Sequence, residues 1–215
     1  MDILLTEDQR LFRDSIHRFA QAELAPGALT RARDGRFDAA TTKMLVDMGL
    51  IGILLPEEDG GHGGSLMDAV LAIHTVALSC PRSADIVQAG NFGAIRTFAE
   101  YASPAQKERW LPGLLSGELL ISVGMSEPEA GSAVTELQTS ATPDGEGFRL
   151  NGTKVFGTHS GTADLVLVYC RFGPGTGGIG YTGQYFPVIQ AYIDINIKLK
   201  KHLVDDLHQF HFVDE

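Results

Sequence analysis

The 215-residue sequence is poor in cysteine: it has only Cys80 and Cys170, which lie far apart and outside any CxxC spacing. Disulfide frameworks need several paired cysteines, and zinc motifs need cysteines or histidines at short fixed intervals. The sequence therefore predicts neither, and both residues are interpreted as reduced, structural thiols.

Basic residues are also scarce, because 17 lysines and arginines stand against 27 aspartates and glutamates, leaving a formal net charge of −10. The only basic cluster lies within residues 198–201. Proteins that bind a phosphate backbone need a basic face, so the composition predicts no nucleic-acid partner.

Long hydrophobic runs are lacking as well. No apolar segment approaches the roughly 20 residues that a membrane span needs, so none is predicted. Asp2 stands where a signal peptide would be basic, and we therefore expect a cytoplasmic protein. Apolar residues nevertheless make up 44% of the chain and charged residues 20%, which is typical of a globular enzyme.

Residues 1–118 have the pattern of an all-helical domain. Thr6 and Gln9 have the spacing of a capping box, and Ser103, Pro104 and Gln106 repeat it with proline at the first helical position. Helices are predicted at residues 38–49 and 65–80, with two more within 83–101. The residues expected to face inward are Leu11, Phe12, Ile16, Phe19, Ala20, Met44, Leu45, Met48, Leu66, Val70, Ile73, Ala77 and Leu78.

Beyond residue 118 the pattern changes to short β-rich runs separated by turns. The predicted runs are residues 119–125, 136–142, 148–150, 153–156 and 163–172. Asp144-Gly145 and Asn151-Gly152 are typical of tight turns. A helical half followed by strands predicts an α+β fold, in which a partial antiparallel β domain occupies residues 119–180. Residues 181–215 form a tail of unrecognised type, in which residues 198–215 are charged and compatible with a helix.

Two patterns have competing interpretations. Residues 175–180 fit G-x-G-x-x-G, but Gly183 and Pro187 follow instead of a helix, so a surface loop is favoured over a dinucleotide site. Several histidines and aspartates of the tail have metal-ligand chemistry, but a solvated amphipathic segment is favoured and no metal is predicted. These tail residues are His202, Asp205, Asp206, His208 and His211.

Two segments of the β half carry the most specific pattern: Val-Gly-Met-Ser-Glu-Pro-Glu-Ala-Gly-Ser at residues 123–132 and Asn-Gly-Thr-Lys-Val-Phe-Gly-Thr at residues 151–158. Each joins a predicted strand to small and hydroxyl residues. Glycine lets backbone N–H groups converge without a Cβ in the way, which suits an anion or a planar heterocycle. Taken alone, either segment also fits a glycine-containing hairpin that binds nothing.

In this order the two segments resemble the flavin-binding signature of the acyl-CoA dehydrogenase family. The helical half resembles the family's N-terminal domain at residues 6–13, 50–61 and 106–118. Residues 119–180 resemble its middle domain. The resemblance implies FAD as the cofactor.

The resemblance also implies roles for residues of the first segment. Val123, Met125 and Ser126 match positions that line the flavin ring, where the hydroxyl and backbone of Ser126 bond its pyrimidine end. Gly131 and Ser132 match positions near the pyrophosphate and the acyl-CoA chain, so Ser132 is also assigned to the substrate.

In the second segment, Phe156, Gly157 and Thr158 match the stretch that packs on the flavin and donates to its N5 atom. Most family members have tryptophan where this chain has Phe156. The family also has aspartate at the Ala133 position and a small residue at the Glu136 position, and both departures predict weaker flavin binding.

The family's C-terminal domain, which supplies the glutamate that removes the substrate α-proton, is not recognised after Gly180. We therefore expect a truncated relative with no assigned catalytic residue, since neither Glu127 nor Glu129 is favoured as the base.

The function implied by the resemblance is FAD-dependent α,β-dehydrogenation of an acyl-CoA or acyl-carrier thioester. Electrons would pass to an electron-transfer flavoprotein or another acceptor, and family members are homo-oligomers. The alternatives are a non-catalytic fragment, and an acyl-CoA- or flavin-binding module without redox activity.

Overall fold

The computed structural model describes residues 5–34, 38–144, 147–159, 162–172 and 209–212. The chain divides into two compact units, Met1–Glu118 and Leu119–Glu215. The α+β fold class is confirmed, because the described residues of the first unit form helices and those of the second form strands.

The helices of the first unit follow one another with short connections. They are α1 (Glu7–Phe19), α2 (Ala28–Arg33), α3 (Ala39–Asp47), α4 (Leu66–Ala77), α5 (Pro81–Ala89), α6 (Ala94–Tyr101) and α7 (Pro104–Ser116). A π-helical turn at Ala20–Leu24 and a 3₁₀ turn at Ala25–Gly27 join α1 to α2. The short helix α2 was not predicted.

Side-chain caps start several of these helices. The capping boxes predicted at Thr6 and at Ser103 are both present, and Ser65 forms another with Asp68. Asp38 caps α3 by accepting from the Thr41 N–H. These oxygens satisfy N–H groups that the first helical turn leaves without a backbone partner.

The predicted inward faces are correct for α1 and α3 in their main residues, since Ile16, Ala20 and Leu45 are fully buried. The prediction for α4 was wrong in part. Ile73 and Ala77 are half-buried and pack on the core as predicted, but the other three predicted residues are exposed, and α4 fully buries small and branched residues against α1 and α5. The exposed set is Leu66, Val70 and Leu78, together with Leu11 of α1. The buried set is Ala69, Ala72, Thr75 and Val76.

The error has a physical cause, because α4 is apolar on more than one face and periodicity alone does not choose between them. Small side chains let neighbouring helices approach closely, and packing selected that face.

The described residues of the second unit form six strands. They are β1 (Ile121–Gly124), β2 (Ser140–Asp144), β3 (Gly147–Val155), β4 (Leu165–Val168), β5 (Arg171–Phe172) and β6 (Gln209–Phe212). β1 and β4 form a parallel pair, while the others form a sheet in the order β5-β2-β3-β6. The expected antiparallel pairing holds for β2–β3 and β3–β6, but β2–β5 is parallel like β1–β4.

Two local predictions of the β half were wrong. Asn151-Gly152 makes no turn, because β3 runs continuously through it and Asn151 pairs with Ser140 of β2. The helix with which the tail sequence is compatible does not extend over Gln209–Phe212, which is strand β6 paired with β3.

Gly152 is required by a close approach. Its φ is 154°, and a Cβ placed on it would lie 2.3 Å from the Thr139 Oγ1 and 2.6 Å from the Thr139 Cα. The glycine in the motif therefore lets β3 pass directly against Thr139.

We expect Gly152→Ala to lower the free energy of unfolding by about 1–3 kcal/mol, because the new methyl group forces Thr139 away from β3. Gly131→Ala is the matched control, since a Cβ at Gly131 meets nothing within 4 Å. Urea unfolding followed by circular dichroism measures both variants. Equal stability of the two would contradict the close approach.

Candidate functional site

The structure brings the two signature segments side by side. The N–H of Val155 donates to the carbonyl of Ser126 at 2.9 Å. The Ser122 hydroxyl donates to the carbonyl of Thr158 at 2.5 Å. Residues that follow β1 and residues that follow β3 are thereby fixed next to each other.

A buried ion pair joins the same segments. Lys154 Nζ lies 2.7 Å from Glu127 Oε1, and the two side chains are 0% and 5% exposed. Lys154 also donates to the Met125 carbonyl at 3.0 Å. The Glu127 carboxylate accepts the N–H groups of Gln138 at 2.6 Å and of Thr139 at 2.9 Å. One carboxylate thus ties together three stretches of chain, and we call this set of contacts the Glu127 clamp.

The surroundings of Glu127 keep it ionised. Burial raises the pKa of its carboxyl, but the Gln138 N–H, the Lys154 ammonium and the Thr139 N–H outweigh burial and lower the pKa to about 2. Burial lowers the pKa of Lys154, and Glu127 opposes that shift. A carboxylate so strongly held is a poor proton acceptor, so Glu127 is a structural residue and not a general base.

Residues 127–130 form a tight turn beside this pair. The N–H of Glu127 donates to the carbonyl of Ala130 at 3.0 Å, and the N–H of Ala130 donates to the carbonyl of Glu127 at 3.2 Å. Gly131 and Ser132 follow the turn and are exposed. Among the described residues, no hydrogen bond joins either of them to residues 156–158.

Phe156 has an unusual conformation for an aromatic residue. Its φ is +57°, in the left-handed region, and its side chain is 72% exposed. A bulky residue rarely adopts this conformation unless the surrounding structure imposes it, and such strain clusters at ligand sites. Gly157 next to it is buried and Thr158 is exposed.

The other assigned residues lie at the ends of the two strands. Val123 is half-buried in β1, and Met125 and Ser126 are half-buried just beyond it. The hydroxyls of Ser126 and Thr158 form no hydrogen bond with the residues that the structure describes.

Lys154 was missed as a site residue, although it lies inside the second motif. A lone lysine in one motif and a glutamate in the other could have been proposed as a pair. Sequence spacing gives no register between the segments, however, so the contact itself was not predictable.

The other features considered in the sequence give no further site among the described residues. Within the described ranges, no helix is long and apolar enough to cross a membrane, and no three potential ligands cluster as a metal site would require. Residues 175–180 and the tail residues His202, Asp205, Asp206 and His208 lie outside the described residues. His211 lies in β6, and Cys80 and Cys170 are free thiols.

Comparison with known families identifies the architecture. Residues 6–118 match the model of the acyl-CoA dehydrogenase N-terminal domain, and residues 122–190 match that of the middle domain. The chain belongs to the acyl-CoA dehydrogenase family. The match to the middle domain extends to residue 190, whereas the resemblance predicted from the sequence ended at Gly180.

Individual relatives agree with this membership. Over 169 residues the chain is 30% identical to the short-chain-specific acyl-CoA dehydrogenase of Clostridium acetobutylicum, covering 79% of this chain and 45% of that protein. Over 167 residues it is 35% identical to the 3-sulfinopropanoyl-CoA desulfinase of Paraburkholderia xenovorans, covering 78% and 43%.

A crystal structure of a Mycobacterium smegmatis glutaryl-CoA dehydrogenase in complex with FADH2 matches with a TM-score of 0.74 and 26% identity, covering 81% of this chain and 45% of that one. The chain therefore spans about half the length of the acyl-CoA dehydrogenase relatives it matches.

We expect Glu127→Gln to lower the free energy of unfolding at pH 7 by about 3–5 kcal/mol, because it leaves the buried Lys154 without its counter-ion. The folded-state pKa of Glu127 lies below its ordinary value of 4.5. Its carboxylate therefore stabilises the fold above that value and ceases to do so as pH falls through about 2.

The stability difference between wild type and Glu127→Gln should accordingly narrow as pH falls from 4.5 toward 2. Urea unfolding at several pH values measures it, with the exposed Glu129→Gln as the control. A difference that stays constant over this range would contradict the assigned ion pair.

Proposed function

We propose that this chain contributes the flavin site of an FAD-dependent acyl-CoA dehydrogenase that desaturates an acyl thioester between Cα and Cβ. The supporting observation is that two hydrogen bonds, Val155 N–H to the Ser126 carbonyl and Ser122 hydroxyl to the Thr158 carbonyl, hold the motifs together, with the exposed, strained Phe156 directly after Val155. Within the described residues, the hydroxyls of Ser126 and Thr158 have no hydrogen-bond partner. Family membership supports the same reaction class.

The residues present fit a flavin. A planar heterocycle needs an aromatic surface and hydrogen-bond donors at its polar edge, and Phe156, Ser126 and Thr158 have these properties. When bound, FAD supplies a hydride acceptor at N5. Val123, Met125 and Gly157 complete the ring site in this proposal, while Gly131 and Ser132 contact the pyrophosphate and the acyl-CoA.

The proton-abstracting step needs a base, and Glu127 is not assigned that role because its carboxylate is committed to Lys154. Our proposal therefore assigns this chain the binding and orientation of flavin and thioester, and assigns it no catalytic residue. The substrate is an acyl-CoA or acyl-carrier thioester, and the electron acceptor is an electron-transfer flavoprotein or a similar protein. A cytoplasmic location and assembly as a homo-oligomer remain part of this proposal.

The direct test is to purify the full chain, titrate it with FAD and follow the flavin absorbance and its protein-induced shift. Anaerobic addition of acyl-CoA thioesters of different lengths then tests reduction. Bleaching of the flavin band supports dehydrogenation. Flavin binding without bleaching indicates a binding module, and the absence of any flavin binding would contradict the proposed function.

Phe156 offers a sharper prediction, because its ring and its backbone strain can be separated. Phe156→Ala removes the ring and keeps a Cβ at positive φ, so flavin affinity should fall about tenfold with little change in stability. Phe156→Gly should lose the same affinity yet gain about 1 kcal/mol in the free energy of unfolding, because glycine relieves the left-handed strain.

Phe156→Trp is the conservative control, and it should retain flavin binding because tryptophan also offers an aromatic face. Fluorescence titration with FAD measures the affinities, and urea unfolding measures the stabilities. Unchanged affinity in Phe156→Ala would remove Phe156 from the flavin site.

A further inference from the structure

Lys154 contacts more than its counter-ion. Its ammonium group donates to Glu127 Oε1 at 2.7 Å and to the Met125 carbonyl at 3.0 Å. The second contact places a fully buried positive charge on the peptide group that links Met125 to Ser126, at the centre of the first motif.

The geometry of that peptide determines where its other end points. No cis peptide bond occurs in the described chain, so the Met125 carbonyl and the Ser126 N–H point in opposite directions. With Lys154 on the carbonyl side, the N–H faces away from the ion pair. It has no acceptor among the described residues.

The backbone is also held on the C-terminal side of this peptide group, because the Ser126 carbonyl accepts the Val155 N–H at 2.9 Å. Lys154 thus fixes the Met125 carbonyl, which precedes the Ser126 N–H, and Val155 of β3 fixes the Ser126 carbonyl, which follows it. Together these two bonds set the direction of the Ser126 N–H. Such a donor loses little freedom when it meets a ligand.

We infer that Lys154 is a positioning residue, which aims the Ser126 N–H at the flavin and strengthens it as a donor through the shared peptide group. This inference rests on the proposed function. A cation bonded to the carbonyl oxygen polarises the peptide and makes its N–H more positive. The effect favours the reduced flavin, whose pyrimidine end carries more negative charge than that of the oxidised form.

Glu127 has a supporting part in this arrangement. Burial alone favours neutral lysine, and the adjacent carboxylate favours the charged form that polarises the peptide. The two backbone N–H groups that bond Glu127 hold its carboxylate in place for that purpose.

The test is the double variant Glu127→Gln/Lys154→Met, which removes both charges together and leaves neither buried without a partner. Glutamine keeps one acceptor oxygen, so it can still accept from one of the two N–H groups, that of Gln138 or that of Thr139. We expect the preference for reduced over oxidised flavin to fall about tenfold, which corresponds to a two-electron midpoint potential lower by about 30 mV. Spectroelectrochemical titration of the FAD-loaded chain measures the potential.

The control is Leu165→Ala, a change of a buried residue in β4 whose strand partner, Ile121, lies outside both motifs. It should lower the thermal midpoint of unfolding and leave the flavin potential unchanged. The amide resonance of Ser126 in ¹⁵N-labelled protein adds a reading without flavin, since it should shift in the double variant only.

The outcomes separate the two claims. Flavin binding with an equal potential in wild type and double variant overturns the role of Lys154 and leaves the proposed function standing. Failure of the wild-type chain to bind FAD overturns both. A lowered potential in the double variant but not in Leu165→Ala supports the positioning role.

Discussion

The buried contact between Glu127 and Lys154 is the interaction on which the arrangement of the site depends. It connects the residues after β1, the residues before β2 and the end of β3 through a single carboxylate and a single ammonium group. Removing two charges from water is costly, and an ion pair in the interior is often no more stabilising than an apolar pair of similar volume. What it supplies here is positioning, because it bonds Glu127 of the first motif directly to Lys154 of the second.

The candidate site combines these fixed backbone contacts with one strained residue, Phe156. The Glu127 clamp and the Ser122–Thr158 hydrogen bond hold the backbone, while Phe156 sits at positive φ with its ring in solvent. Proteins rarely keep an exposed aromatic residue in that conformation without use for it. The division follows a general design, in which functional groups are held in unfavourable states by a well-packed support.

Much of the architecture could be predicted from the sequence. The helical first half, its caps at Thr6 and Ser103 and the change to strands after residue 118 all followed from local patterns, because caps and periodicity depend on neighbouring residues. Features set by distant contacts could not be predicted. Periodicity did not reveal which face of α4 is buried, and Asn151-Gly152 suggested a turn where packing against Thr139 required a glycine within a strand.

The candidate site shows the same limit. The motif residues could be named from their order in the chain, but their function remains a proposal. The role of Lys154 depended on a contact with Glu127 across 27 positions of sequence. A charged residue in a strand ordinarily faces solvent, so only the fold reveals it as buried.

A crystal structure of the chain grown with FAD tests the central claim most directly. The account predicts one flavin ring within hydrogen-bond distance of both Ser126 and Thr158, with Lys154 still bonded to Glu127 and to the Met125 carbonyl behind it. A flavin bound elsewhere, or the two motifs separated with Lys154 in solvent, would contradict it.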